Sequence, residues 1–135
     1  MVCAHWVNFH FRIYSEINNG VYKAGFANTQ TAYEEHVYPL FSALDRVEAH
    51  LSKPENQPYL LGKHITDADI KLFPTIIRFD VVYYSLFKCN LKMIRLDYPK
   101  VAILLIILSL LHKLAKLGNG RYMNGFGGSI GTKVH

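Results

Sequence analysis

The chain has 135 residues, half of them apolar and 13% aromatic, and a formal net charge of +5 at pH 7. That length builds one hydrophobic core and not two of ordinary size, and the apolar content excludes disorder as the state of its body. Basic against acidic residues number three to five over residues 1–50, eight to five over 51–100 and four to none over 101–135. The basicity therefore belongs largely to the tail, and no stripe of Lys and Arg interleaved with aromatics marks a nucleic-acid footprint.

The first fifteen residues mix Cys, His, Trp, Asn and Arg without the apolar centre of a signal peptide, so a cytoplasmic protein is expected. Two cysteines, Cys3 and Cys89, form no CxxC, and no pair of the seven histidines has the i, i+4 spacing with Glu of a helical zinc site. No metal is expected. Trp6–Ile17 permits a helix, which Asn18-Asn19-Gly20 ends through a left-handed cap or tight turn.

Asn28-Thr29 then offers an N-cap. Tyr33, Val37, Leu40, Phe41, Leu44, Val47 and Leu51 recur at helical spacing, with Glu34, Glu35, Asp45, Arg46 and Glu48 on the other face. Pro39 predicts a kink near Glu35–Val37. Ser52–Gly62 reads as a surface loop. In Thr66-Asp67-Ala68-Asp69 the Thr66 hydroxyl and the Asp69 carboxylate have the spacing of a capping box, flanked by Ile65 and Ile70 as a hydrophobic staple. Its role is structural, and Asp69→Ala is expected to cost about 1–2 kcal/mol.

The helix that follows, Asp67 to about Lys88, is apolar nearly all round, the pattern of a helix buried at the centre of a bundle. Arg78 and Asp80 are its central charges. Two residues apart, they cannot face each other, so each is expected to have its own ion-pair partner. Val101–Leu111 is an apolar run of eleven residues, too short to span a bilayer of about 30 Å and read as a buried helix, with interfacial docking a minor alternative because Lys113, Lys116 and Arg121 follow it. Six of the nine glycines lie at or after Gly118, so residues 118–135 are expected to be a disordered tail.

INNGVYKAGF at Ile17–Phe26, HITDADIKL at His64–Leu72 and IRFDVVYYSLFKCNLK at Ile77–Lys92, in that order and at those separations, resemble the C-terminal helical domain of glutathionyl-hydroquinone reductases, the xi-type, omega-like glutathione transferases. The resemblance implies an all-α bundle of the glutathione S-transferase C-terminal type over residues 13–99. Residues 1–12 diverge from it, as do an apolar helix at 100–117 and the Gly-rich tail at 118–135. It also implies a missing partner domain: the family carries an N-terminal thioredoxin-like domain, and this chain begins where that domain should have ended.

In that family a thioredoxin-domain cysteine attacks the glutathionyl sulfur of a glutathionyl-hydroquinone, releasing the hydroquinone, and a second glutathione regenerates the thiolate. The helical domain walls the quinol ring and sets a tyrosine hydroxyl beside it. The resemblance assigns that tyrosine to Tyr22 of INNGVYK. The family's second functional tyrosine has no counterpart, since Tyr122 lacks the right surroundings, and Cys3 is followed by Ala where the redox motif has Pro. Glutathione is implied as co-substrate, without tight binding to this chain alone, and the isolated chain is expected to be inactive. A non-catalytic interaction module is the alternative. Implied partners are a second copy through helical-domain surfaces or a thioredoxin-like half in trans; nucleic acid and membrane are not expected.

Overall fold

The computed structural model describes residues 8–130, and their side chains as far as residue 118. Cys3 and the side chain of Tyr122 lie outside this description. All elements among the described residues are helical, apart from an isolated antiparallel bridge between Tyr59 and Gly62. Two compact units divide between Leu105 and Ile106.

Residues 8–12 are helical and run into a π turn at Ile13–Asn18, closed by the Asn19 N–H on the Tyr14 carbonyl at 3.0 Å. The helix expected to stop at Asn18-Asn19-Gly20 does not stop in a left-handed cap. Asn19 is right-handed (φ −84°, ψ −27°) and α1, Gly20–Gly25, starts directly. The reason is tertiary: Asn18 Nδ2 donates to the Lys71 carbonyl at 3.0 Å, and Asn18 Oδ1 accepts from Thr75 Oγ1 at 3.0 Å. The amide that suits a turn is used to tie two helices together.

The longest element of the first unit is α2, Gln30–Leu51. Thr29 caps it, its hydroxyl accepting from the Ala32 N–H at 3.1 Å. Its buried face is Val37, Leu40, Phe41, Ala43, Leu44, Val47 and Leu51, the face that the spacing predicts. The large aliphatic and aromatic side chains of such a face contribute about 1.5–3 kcal/mol each when fully buried. The helix runs unbroken through Pro39, whose ring leaves the Glu35 carbonyl without its usual donor.

The loop after α2 contains a 3-10 turn at Pro54–Asn56 and closes at Gly62, whose φ of +113° is a conformation that side-chain-bearing residues rarely adopt. Then α3, Asp67–Arg78, begins. Asp69 is fully buried; its Oδ2 accepts from the Thr66 N–H at 2.9 Å and the Thr66 hydroxyl at 3.1 Å, while its Oδ1 takes the Leu60 N–H at 2.9 Å. One carboxylate thus fixes the helix start and the preceding turn together. The staple contributes little burial, since Ile65 and Ile70 are both exposed.

A second π turn at Phe79–Tyr83 and a single turn α4, Tyr84–Leu86, continue the segment, which ends earlier than Lys88. Its surroundings correct the expectation of burial all round. Ala68, Leu72, Ile76, Phe79 and Tyr83 are buried, whereas Ile70, Ile77, Val81 and Leu86 are exposed. One face enters the core because the described helices pack against that face.

The charges at its centre have separate surroundings. Asp80 accepts from the N–H groups of Ile94 (2.7 Å) and Arg95 (3.0 Å), capping α5, Ile94–Asp97, with the Arg95 Nε at 3.9 Å. Asp80 thus has the ion-pair partner expected of it, Arg95, although its two backbone donors are closer, whereas Arg78 is exposed and needs no buried ion pair. Backbone donors at a helix start satisfy a carboxylate as well as a cation does.

The last helix, α6, spans Pro99–Ile130. Within the first unit its start is held by Glu48, whose two oxygens take the Lys100 and Val101 N–H groups at 2.9 Å each, and Val101, Leu104 and Leu105 are buried. In the second unit the backbone stays helical to Ile130, past the expected boundary at Gly118. Glycine costs a helix about 1 kcal/mol per residue without forbidding its i→i−4 bonds. The apolar part also exceeds the uninterrupted eleven residues: the 20 residues Pro99–Gly118 contain an 18-residue window with a mean hydropathy of 2.0, enough by length and composition to cross a membrane.

Candidate functional site

Tyr22 projects from α1 with 41% of its surface exposed. Two anchors fix it there. Asn18 ties the chain just ahead of α1 to α3, and Gly25 lies so close to Phe87 that an added Cβ would overlap the phenyl ring. A glycine is required because the helix and the ring are in contact at backbone level.

The Tyr22 hydroxyl is 2.9 Å from that of Tyr83. Around this pair the rings form a continuous wall. Tyr22 meets Tyr83 and Phe87 edge-on at 5.6 and 5.5 Å, Tyr83 and Phe87 stack at 5.4 Å, and Phe26 stands 5.2 Å from Phe87 and 6.4 Å from Tyr22. These are favourable aromatic geometries, and they leave Phe26 69% exposed as a flat apolar surface.

Arg78 acts on the cluster electrostatically, its positive charge favouring the ionised form of the Tyr83 phenol. Five residues apart, Arg78 and Tyr83 would point about 140° away from each other on an α-helix. The intervening π turn, with its i→i+5 hydrogen bond from the Tyr84 N–H to the Phe79 carbonyl, brings them to one side. Burial, helped by the bond to Tyr22, pushes the Tyr83 phenol above its ordinary value, and Arg78 opposes the rise. Either hydroxyl of the pair can be the donor; when Tyr83 donates, the Tyr22 proton is free to donate outward. The arrangement can hold an aromatic ring against Phe26 and Phe87 while bonding an oxygen on that ring.

A cleft of about 390 Å³ adjoins this wall, lined by Gly25, Thr29, Gln30, Tyr33, Leu86 and Lys88 among others. A second groove of about 430 Å³, lined by Phe9, Arg12, Ile17, Arg46 and His50, shares no residue with it. Neither is lined by the four rings of the wall. Cys89 lies close by in sequence and is fully buried, its Sγ 3.7 Å from the Phe87 carbonyl and 3.9 Å from that of Val21. Burial pushes its thiol up to about 12, which removes it as a nucleophile near neutral pH. Among the described residues no group of His, Cys, Asp and Glu could hold a metal ion.

The sequence singled out Tyr22, and the structure sets it at the edge of an aromatic cluster. It did not reveal Tyr83, one of nine tyrosines and within an apolar run, nor the role of Arg78. The available signal was the pair of unexplained charges in that run. Thr66 and Asp69 stand at the opposite end of α3 from Arg78, outside the wall.

Residues 30–102, more than half of the chain, match the glutathione S-transferase C-terminal domain; Tyr22 precedes the matched span and Tyr83 lies within it. The chain is 54% identical over 91 residues to the glutathionyl-hydroquinone reductase PcpF of Sphingobium chlorophenolicum, an overlap of 67% of this chain and 28% of that protein. It is 50% identical over 78 residues to the glutathionyl-hydroquinone reductase YqjG of Escherichia coli, covering 58% and 23%. The fold superimposes on the crystal structure of glutathione transferase Xi 1 from Trametes versicolor with a TM-score of 0.71 and 48% identity, covering 75% of this chain and 34% of that one. The chain spans less than a third of the length of these two curated relatives.

Proposed function

Because the chain belongs to the glutathione S-transferase C-terminal domain family, we propose that it supplies the substrate-pocket wall of a glutathione-dependent reductase acting on glutathionyl-hydroquinones. The observation that carries this reading is the Tyr22–Tyr83 hydroxyl pair at 2.9 Å on the edge of an aromatic wall. The names of two relatives supply the substrate class. The quinol ring lies against Phe26 and Phe87, and the Tyr22 hydroxyl donates to a phenolic oxygen, stabilising negative charge as the quinolate develops. Tyr83 holds that hydroxyl in place.

Glutathione, when bound, supplies the thiol that takes up the sulfur of the conjugate. The buried Cys89 does not fit the part of the protein thiol in that exchange, and Cys3 lies outside the described residues. The chain alone therefore binds a quinol without turning the conjugate over, and activity needs a thioredoxin-like half.

Steady-state reduction of a glutathionyl-hydroquinone by glutathione, run beside NMR-detected binding of the free hydroquinone, tests both parts. We expect no turnover from the folded chain alone, and binding that Tyr22→Phe weakens about tenfold, the loss of one well-placed hydrogen bond. Turnover abolished by Cys3→Ser or Cys89→Ser would overturn the inactive reading. Binding indifferent to Tyr22→Phe would overturn the wall.

A further inference from the structure

The second unit carries an apolar surface that the quinol-wall reading does not use. On α6, Ile106, Leu110, Leu114 and Leu117 are 58%, 55%, 63% and 62% exposed. Their spacings of four, four and three residues set them within an arc of about 80° along one helix face, at about 100° per residue. Four large aliphatic side chains in a row, each more than half exposed, form a patch that soluble surfaces rarely leave bare.

Charge decides what covers it. Lys113 and Lys116 flank the row on one side, and residues 101–135 contain four basic and no acidic residues. A second copy seated on the same face would set these lysines against their own counterparts with no carboxylate on the segment to offset them. A layer of anionic headgroups would offset them. The length also fits: within Pro99–Gly118 an 18-residue window has a mean hydropathy of 2.0, and only 22% of that window is buried inside the protein. Spanning is disfavoured, because Val101 and Leu104 are buried in the first unit and the two lysines lie within the apolar stretch.

We propose that α6 docks on an anionic membrane surface, with Ile106, Leu110, Leu114 and Leu117 entering the acyl boundary and Lys113 and Lys116 lying among the headgroups.

The test is co-sedimentation of the full chain with vesicles of phosphatidylcholine alone and of phosphatidylcholine with an equal part of phosphatidylglycerol. Binding to the anionic vesicles is expected, weakened about tenfold by Leu110→Ser and again by Leu114→Ser. Lys113→Gln and Lys116→Gln are each expected to weaken it about fivefold and to reduce its salt dependence. These positions are exposed, so far-UV circular dichroism should be unchanged. Equal binding to neutral vesicles, or indifference to all four substitutions, would overturn the proposal. So would a lipid-free dimer in sedimentation velocity that Leu110→Ser dissolves, which would assign the face to a second copy.

Discussion

The helical segment from Asp67 to Leu86 has two ends made for different purposes. At its start, Asp69 is fully buried and its two oxygens hold three donors, the N–H groups of Leu60 and Thr66 and the Thr66 hydroxyl. At its other end a π turn gathers Arg78 and Tyr83 beneath the exposed Tyr22. The first end uses its polar atoms entirely within the protein. The second leaves the Tyr22 hydroxyl, on a side chain 41% exposed, with bonding capacity beyond its one bond to Tyr83. The contrast separates a residue that builds the fold from one that can meet a ligand: the deciding property is whether its hydrogen-bonding capacity is already used.

The largest expected effect tests the first end. Because Asp69 serves two backbone donors rather than the single cap legible in sequence, Asp69→Ala should lower the unfolding free energy by about 3 kcal/mol, above the loss of an ordinary cap. Urea denaturation checks this, and a loss under about 1 kcal/mol would reduce Asp69 to a surface cap. Next in size is Gly25→Ala. Its Cβ would push Phe87 aside, and overpacking of this kind costs about 1–3 kcal/mol. Hydroquinone binding should fall with stability here, whereas Asp69→Ala should leave the affinity of the remaining folded fraction unchanged.

Smaller still is Tyr83→Phe, which keeps the ring and removes the hydroxyl. Its stability cost should be about 1 kcal/mol near neutral pH, with binding weakened through Tyr22. The alkaline limb discriminates further. The folded value of Tyr83 is raised above its free value of 10.0, so the folded state holds the proton more tightly than the unfolded state. The resulting stability is complete below pH 10 and is lost as pH rises through the raised value. Tyr98 behaves likewise, its phenol pushed up by burial and by its 2.9 Å bond to the Asp45 carboxylate. Tyr83→Phe should therefore flatten part of the alkaline decline in stability and Tyr98→Phe a larger part; an unaltered slope in both would refute the assignment.

Much of the fold was legible because periodicity and capping are local. The buried face of α2 follows from its spacing, and Thr29 and Asp69 stand where short polar side chains precede apolar runs. What was not legible depends on partners remote in sequence. Asn18 reads as a turn residue until Lys71 and Thr75 are brought to it across more than fifty positions. Asp80 reads as half of an ion pair, which it forms with Arg95, but its closer bonds to two N–H groups at the start of α5 are not visible in sequence. The same limit holds for the site. Tyr22 was marked by its motif, while Tyr83 and Arg78 required a π turn, for which an apolar run gives no sign.

The inert thiol has a use of its own. Cys89 is closed to solvent and bonded beneath the wall, so an alkylating reagent can reach it only when that part of the core opens. In a Cys3→Ser background its modification rate would be an internal clock for such openings. A quinol seated on the wall should slow that clock in proportion to its occupancy.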